Sequence, residues 1–192
     1  MGTVRPGLKL LMRPFDWIGG ALRDRSGVSA IEFAMIVPVL IGLYVGAVEL
    51  GNALTINRRA SMISSTAADL VAQTKEVTTA DLQDVVGAAS SLLTPYSTSP
   101  LTIVLTSVVA DQNNSGKVDW SYANKGAARA KNSAYAVPAG LTQANSSVIV
   151  AEVSYAYSPL LNLTGFFSPG SFTMQRTFYA RPRKSLTIKK TD

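Results

Sequence analysis

Sixteen consecutive residues, Phe33 to Val48 (FAMIVPVLIGLYVGAV), carry no charge, and the wider stretch from Val28 to Ile56 is interrupted only by Glu32 and Glu49. A helix needs about 20 mostly apolar residues to cross a hydrocarbon core of roughly 30 Å. The uncharged centre alone falls a little short of that, so the two glutamates are expected near the two interfaces. Their spacing corresponds to about 25 Å of helical rise at ~1.5 Å per residue, which agrees with that placement. A secretory signal peptide has a similar basic start and apolar core. However, no small-x-small cleavage site follows this run, and the apolar pattern does not stop cleanly.

Charge sets the expected orientation. Arg5, Lys9, Arg13, Arg23 and Arg25 precede the segment against Asp16 and Asp24, so half of the formal net charge of +6 lies in residues 1–27. Arg58, Arg59 and Lys75 follow the segment. Basic residues packed just before an apolar run act as topology signals, which predicts a cytoplasmic N-terminus and everything past residue 56 outside. The same reading argues against nucleic acid as a partner, although a basic chain invites it. The chain has no cysteine and no histidine, which removes thiolate chemistry, histidine metal sites and the usual general base. No nucleophile-base pair, phosphate loop or metal-ligand cluster is recognisable, so neither an enzyme nor a bound cofactor is expected.

A carboxylate inside a membrane segment costs a few kcal/mol and marks a functional candidate. Glu32 and Glu49 lie about 100° apart around a helix, so one neighbouring helix is not expected to satisfy both. Asn52, three residues beyond Glu49, is a candidate local partner on the same face. Gly42 and Gly46 form G-x-x-x-G, and the pairs Ala30/Ala34 and Ala47/Gly51 repeat that spacing. Small residues at this interval let helices approach closely in lipid. Pro38 removes one backbone hydrogen bond and can bend such a helix.

Ser26-Gly27-Val28-Ser29-Ala30-Ile31-Glu32-Phe33 resembles a type IV prepilin processing site: a glycine, four residues, a glutamate and an aromatic, behind a basic leader. Continued through residues 30–51 (AIEFAMIVPVLIGLYVGAVELG), the chain resembles the TadE-like family of Flp (Tad) pilus-assembly pseudopilins. The resemblance implies cleavage by prepilin peptidase after Gly27, so that Val28 becomes the new N-terminus and Glu32 the fifth mature residue. It also implies, as partners, other pseudopilins, the major Flp-type pilin and the Tad inner-membrane platform proteins, besides the lipid bilayer. Independently of the family, cutting there would create an α-amino group four residues from Glu32. Between packed subunits, an amine of one chain paired with the carboxylate of the next would relieve a buried charge and fix register. Phe33, Gly42, Gly46 and Glu49 are the further candidate packing positions.

Beyond the run, Ile56, Ala60, Ile63, Ala67, Leu70 and Val71 recur at helical spacing, predicting that the helix continues as an amphipathic segment to about Thr74. A second helix is expected over 79–93, capped by Thr78 and stopped before Pro95. Leu101–Ala110 and Lys117–Tyr122 read as a hairpin, with Leu101, Ile103, Leu105 and Val109 on one face. Val148–Tyr157 and Phe172–Arg181 complete an antiparallel sheet, the latter with Arg176 interrupting its apolar row. Residues 123–147 read as a long connection with room for a short helix. The loop at Asp111–Gly116 begins like a calcium loop, but Tyr122 stands where the bidentate glutamate belongs. Leu160–Phe167 (LLNLTGFF) is apolar for a loop and suits either contact with the membrane or a partner subunit or folding back over the sheet, and the basic tail from Arg181 to Lys190 reads as solvated by default, with an anionic lipid or partner surface as the sharper alternative.

The expected fold class is thus α+β: a basic leader (1–27, cleaved), a transmembrane and assembly helix (28–56), and a periplasmic head (57–192) with a second helix and an antiparallel sheet. The competing expectation is an unprocessed single-span anchor carrying a periplasmic ligand-binding domain.

Overall fold

The structure, a computed structural model, describes residues 26–112, 115–138, 140–159 and 170–192. Nearly all of the expected leader, two residues of the Asp111–Gly116 turn and the apolar LLNLTGFF stretch lie outside the described residues. The chain divides into two compact units, Met1–Val48 and Glu49–Asp192.

In chain order the elements are helix α1 (Ser26–Ala72), β1 (Glu76–Val77), α2 (Thr79–Ser91), β2 (Leu101–Ala110), β3 (Gly116–Ala123), β4 (Ser147–Tyr157), β5 (Phe172–Ala180) and β6 (Lys189–Lys190). The fold is α+β. Pro38 lies inside α1 without ending it.

Within the second unit, β2 to β5 form one antiparallel sheet in the order β3-β2-β4-β5. Its inner face carries Leu101, Ile103 and Leu105 of β2 and Ile149, Ala151, Val153, Tyr155 and Tyr157 of β4 into a core shared with Ile56, Ala60, Ile63, Ala67 and Val71 of α1. The helical stripe differs from the expected one in that Leu70 is exposed, while Ser64, Ala68 and Ala72 are buried as well. Leu82, Val86 and Ala89 of α2 join the same core. Helix α2 starts where its sequence says it should. Thr78 accepts from the Asp81 N–H at 3.2 Å, and the Asp81 carboxylate accepts from the Thr78 N–H at 2.8 Å, a reciprocal cap that satisfies two orphan donors.

The outer face holds a second, smaller core at one end, where Val108, Val148 and Val150 pack with Tyr135, Val137 and Tyr179. Val109, expected in the apolar row, is therefore only half-buried, while Val108 and Ala110 on the opposite face are fully buried. The covering segment comes from the long connection, which has no helix among the described residues. It runs beside β3 through Val118 N–H to Ser133 O (2.9 Å) and Tyr135 N–H to Gly116 O (2.9 Å). A bulge in β3 serves both cores. Ser107 pairs with Trp120 and Val108 with Val118, leaving Asp119 unpaired. Residues two apart normally share a face of a strand, and the extra residue lets Val118 and Trp120 be buried on opposite faces.

The C-terminal segment keeps most of its basic side chains exposed, as expected, while its backbone is built into the fold. Lys189–Lys190 pairs in parallel with Glu76–Val77. Ile188 is fully buried, and its carbonyl accepts from the Trp120 indole at 2.7 Å. Arg183 donates from its backbone to Ala72 O at 2.8 Å and pairs with Asp69. The basic side chains remain at the surface while the backbone between them closes the end of α1.

Candidate assembly helix and processing site

The first unit carries the candidate processing residues and, apart from Glu49, the candidate packing residues on one helix. Gly27, Val28, Glu32 and Phe33 are all exposed, Val28 at 54% and Phe33 at 67%. Among the described residues Glu32 has no ion-pair or hydrogen-bond partner. The helix is long and apolar enough to cross a membrane, and none of the residues in its apolar window is buried inside the chain. A core helix of a soluble domain would bury one face, whereas this one fits a single-pass membrane anchor. A Cβ added at Gly42, Gly46 or Gly51 would meet nothing within 4 Å. The small-residue face is thus open to a partner helix, as the G-x-x-x-G spacing requires.

Glu49 opens the second unit and is engaged within it. It is half-buried, and its carboxylate accepts from the Tyr157 hydroxyl at 2.5 Å. Asn52, expected beside it, instead accepts from Tyr96 at 3.3 Å. Eight residues past Glu49, Asn57 Oδ1 accepts from Arg176 Nε at 3.0 Å. The arginine that interrupts the apolar row of β5 therefore serves as a tie to the helix. Arg59 adds bonds to Leu92 O (2.7 Å) and Thr94 O (2.5 Å) and lies over the Tyr96 ring at 5.7 Å. With Asp69–Arg183, these ties follow α1 from Glu49 to Asp69, roughly 30 Å of rise. Burial and the bond to Glu49 together push the Tyr157 phenol well above its ordinary range, because both disfavour the phenolate.

Two features lie away from the helix. Asp111 Oδ1 accepts from the Ser115 N–H at 2.9 Å, and the Asp111 N–H donates to Ser115 O at 3.0 Å, closing the β2–β3 turn. On the outer sheet face a shallow groove of about 410 Å³ is bordered by Arg129, Glu152, Ser154, Gln175 and Thr177. Arg129 grips Glu152 with two bonds of 2.9 and 2.7 Å and stacks over Tyr135 at 4.7 Å. The groove's two most strongly paired charges thus neutralise each other. Sequence reading missed it because its walls come from three strands and a loop distant in the chain.

The family model described as TadE-like protein matches residues 27–69. This segment is TadE-like. The match begins at Gly27, takes in the whole apolar run, and ends within the part of α1 that enters the head core, leaving the strands and α2 outside the TadE-like region. Neither a curated protein nor a solved structure matches the chain.

Proposed function

We propose that this chain is a pseudopilin of the Tad pilus system, held in the bacterial inner membrane by residues 28–48 with its head in the periplasm. Prepilin peptidase removes the leader after Gly27. The freed Val28 amine of one subunit then pairs with Glu32 of its neighbour, fixing register as the helices pack along Gly42 and Gly46. The partners on this reading are the peptidase, other pseudopilins, the major Flp-type pilin and the platform proteins of the Tad system. The role is one of assembly, not of catalysis.

The observation that carries the reading is the coincidence of three features on one helix: the TadE-like match starting at Gly27, an apolar run with no residue buried inside the chain, and an exposed Glu32 directly before the uncharged residues. An exposed apolar helix bearing one carboxylate suits insertion in lipid followed by pairing with another chain. Deleting the gene in its host and examining the cells by electron microscopy tests the proposal. Loss of pili, restored by the intact chain, is expected; normal piliation in the deletion strain would contradict it.

A further inference from the structure

Three aromatic side chains gather at one turn of α1. Tyr157, the last residue of β4, donates to Glu49, and Tyr96 donates to Asn52. Phe172, the first residue of β5, pairs with Tyr157 in the sheet, their ring centroids 5.4 Å apart. Glu49 directly follows the uncharged run in sequence. The cluster is therefore tied by hydrogen bonds to the first polar residues after the apolar segment. Phe172 is 46% exposed, whereas Met174, two positions on and on the same face, is buried.

We propose that Phe172, seated on the buried Tyr157 ring, forms an interfacial anchor through which the head contacts the lipid headgroup layer where α1 leaves the bilayer, an inference that rests on residues 28–48 spanning it. A bare apolar ring beside the first polar residues after the run suits the headgroup/acyl boundary, where apolar and aromatic side chains of interfacial segments are buried. Both tyrosines have their hydroxyls engaged by the helix, and Phe172 supplies the bare apolar surface. Lipid is a better occupant than a second copy of the chain. One phenylalanine buries at most about 250 Å², whereas a stable dimer needs roughly 800 Å² per partner. Lipid, moreover, already surrounds the neighbouring run on this reading.

The chain has no native cysteine, so single cysteines can carry an environment-sensitive nitrobenzoxadiazole label. Phe172→Cys is compared with Phe178→Cys, which is similarly exposed at 41% but about 20 Å further along β5. Tyr44→Cys reports on the run itself, and Thr173→Cys replaces Phe172→Cys if that variant does not fold. Each full-length protein is reconstituted in phosphatidylethanolamine/phosphatidylglycerol vesicles and quenched with shallow or deep doxyl lipids or with aqueous iodide. The anchor predicts that position 172 loses emission to the shallow lipid quencher, whereas 178 loses it to iodide alone. Position 172 behaving like 178 while Tyr44→Cys is reached by lipid overturns the anchor and leaves the span intact. No lipid quenching at position 44 overturns both. Protection at 172 that grows with protein density in the membrane would assign the surface to a second copy and also overturn the proposal.

Discussion

The Tyr157 hydroxyl donates to the Glu49 carboxylate across 2.5 Å, joining the end of β4 to the helix residue that follows the uncharged run. A hydrogen bond to a charged partner contributes about 1.5–3 kcal/mol, and losing the donor leaves a half-buried carboxylate poorer by one partner. Tyr157→Phe is expected to destabilise the head by roughly that amount, with Glu49→Gln costing less because it keeps an acceptor. Chemical unfolding in detergent, followed by circular dichroism, checks this.

The same bond sets an alkaline limit. The folded-state phenol ionises above its ordinary value of 10.0, first through burial and then through the Glu49 bond. Its contribution is fully present below pH 10 and is lost as pH rises further, when the unfolded chain gives up the proton and the folded chain does not. The stability difference between the wild type and Tyr157→Phe should therefore narrow above pH 10, in melting curves taken at stepped pH.

At the acid end the relevant group is Asp192. Its carboxylate is held down to about 2 from an ordinary 3.8 by bonds from Lys190 and the Thr79 N–H. A depressed carboxylate stabilises above its unfolded value, and that contribution disappears as pH falls through the folded one. Asp192→Asn should thus lower the melting temperature at pH 5 and converge with the wild type near pH 2.

Two glycines should respond in opposite directions. A Cβ at Gly116 would stand 2.4 Å from Tyr135 O, where the connection presses on β3. Gly116→Ala is expected to cost about 1–3 kcal/mol. Gly87, exposed in α2, has nothing within 4 Å of an added Cβ, and Gly87→Ala should gain about 0.5–1 kcal/mol. Urea midpoints of the two variants decide the point.

What the sequence disclosed was mostly local or periodic. The Thr78–Asp81 cap lies within one helical turn, and the β4 alternation from Ile149 to Tyr157 repeats every second residue, so both could be read directly. Pairings between residues far apart leave no such trace. Lys189–Lys190 meets Glu76–Val77 across more than a hundred residues, and nothing in a run of basic side chains announces a buried Ile188. The bulge at Asp119 in β3 likewise follows from having cores on both faces, which the alternation of a single strand does not reveal. For the site, the candidate processing and packing residues could be named because they form one linear pattern, the one the TadE-like match covers in part. The engagement of Glu49 by Tyr157 could not, and a local partner at Asn52 was expected in its place.

Glu32 and Glu49 should separate in mutants. Glu32→Ala is expected to leave the head's unfolding curve unchanged while abolishing piliation, since Glu32 has no partner among the described residues. Glu49→Ala should lower head stability through the lost Tyr157 bond. Identical phenotypes in both assays would contradict the division of labour between the two carboxylates.

The central claim is a cut between Gly27 and Val28. Intact mass or Edman sequencing of the membrane-extracted protein, with and without co-expressed prepilin peptidase, reads it directly. The account predicts a chain beginning at Val28 only when the peptidase is active; a chain that keeps its leader in the presence of active peptidase would contradict it.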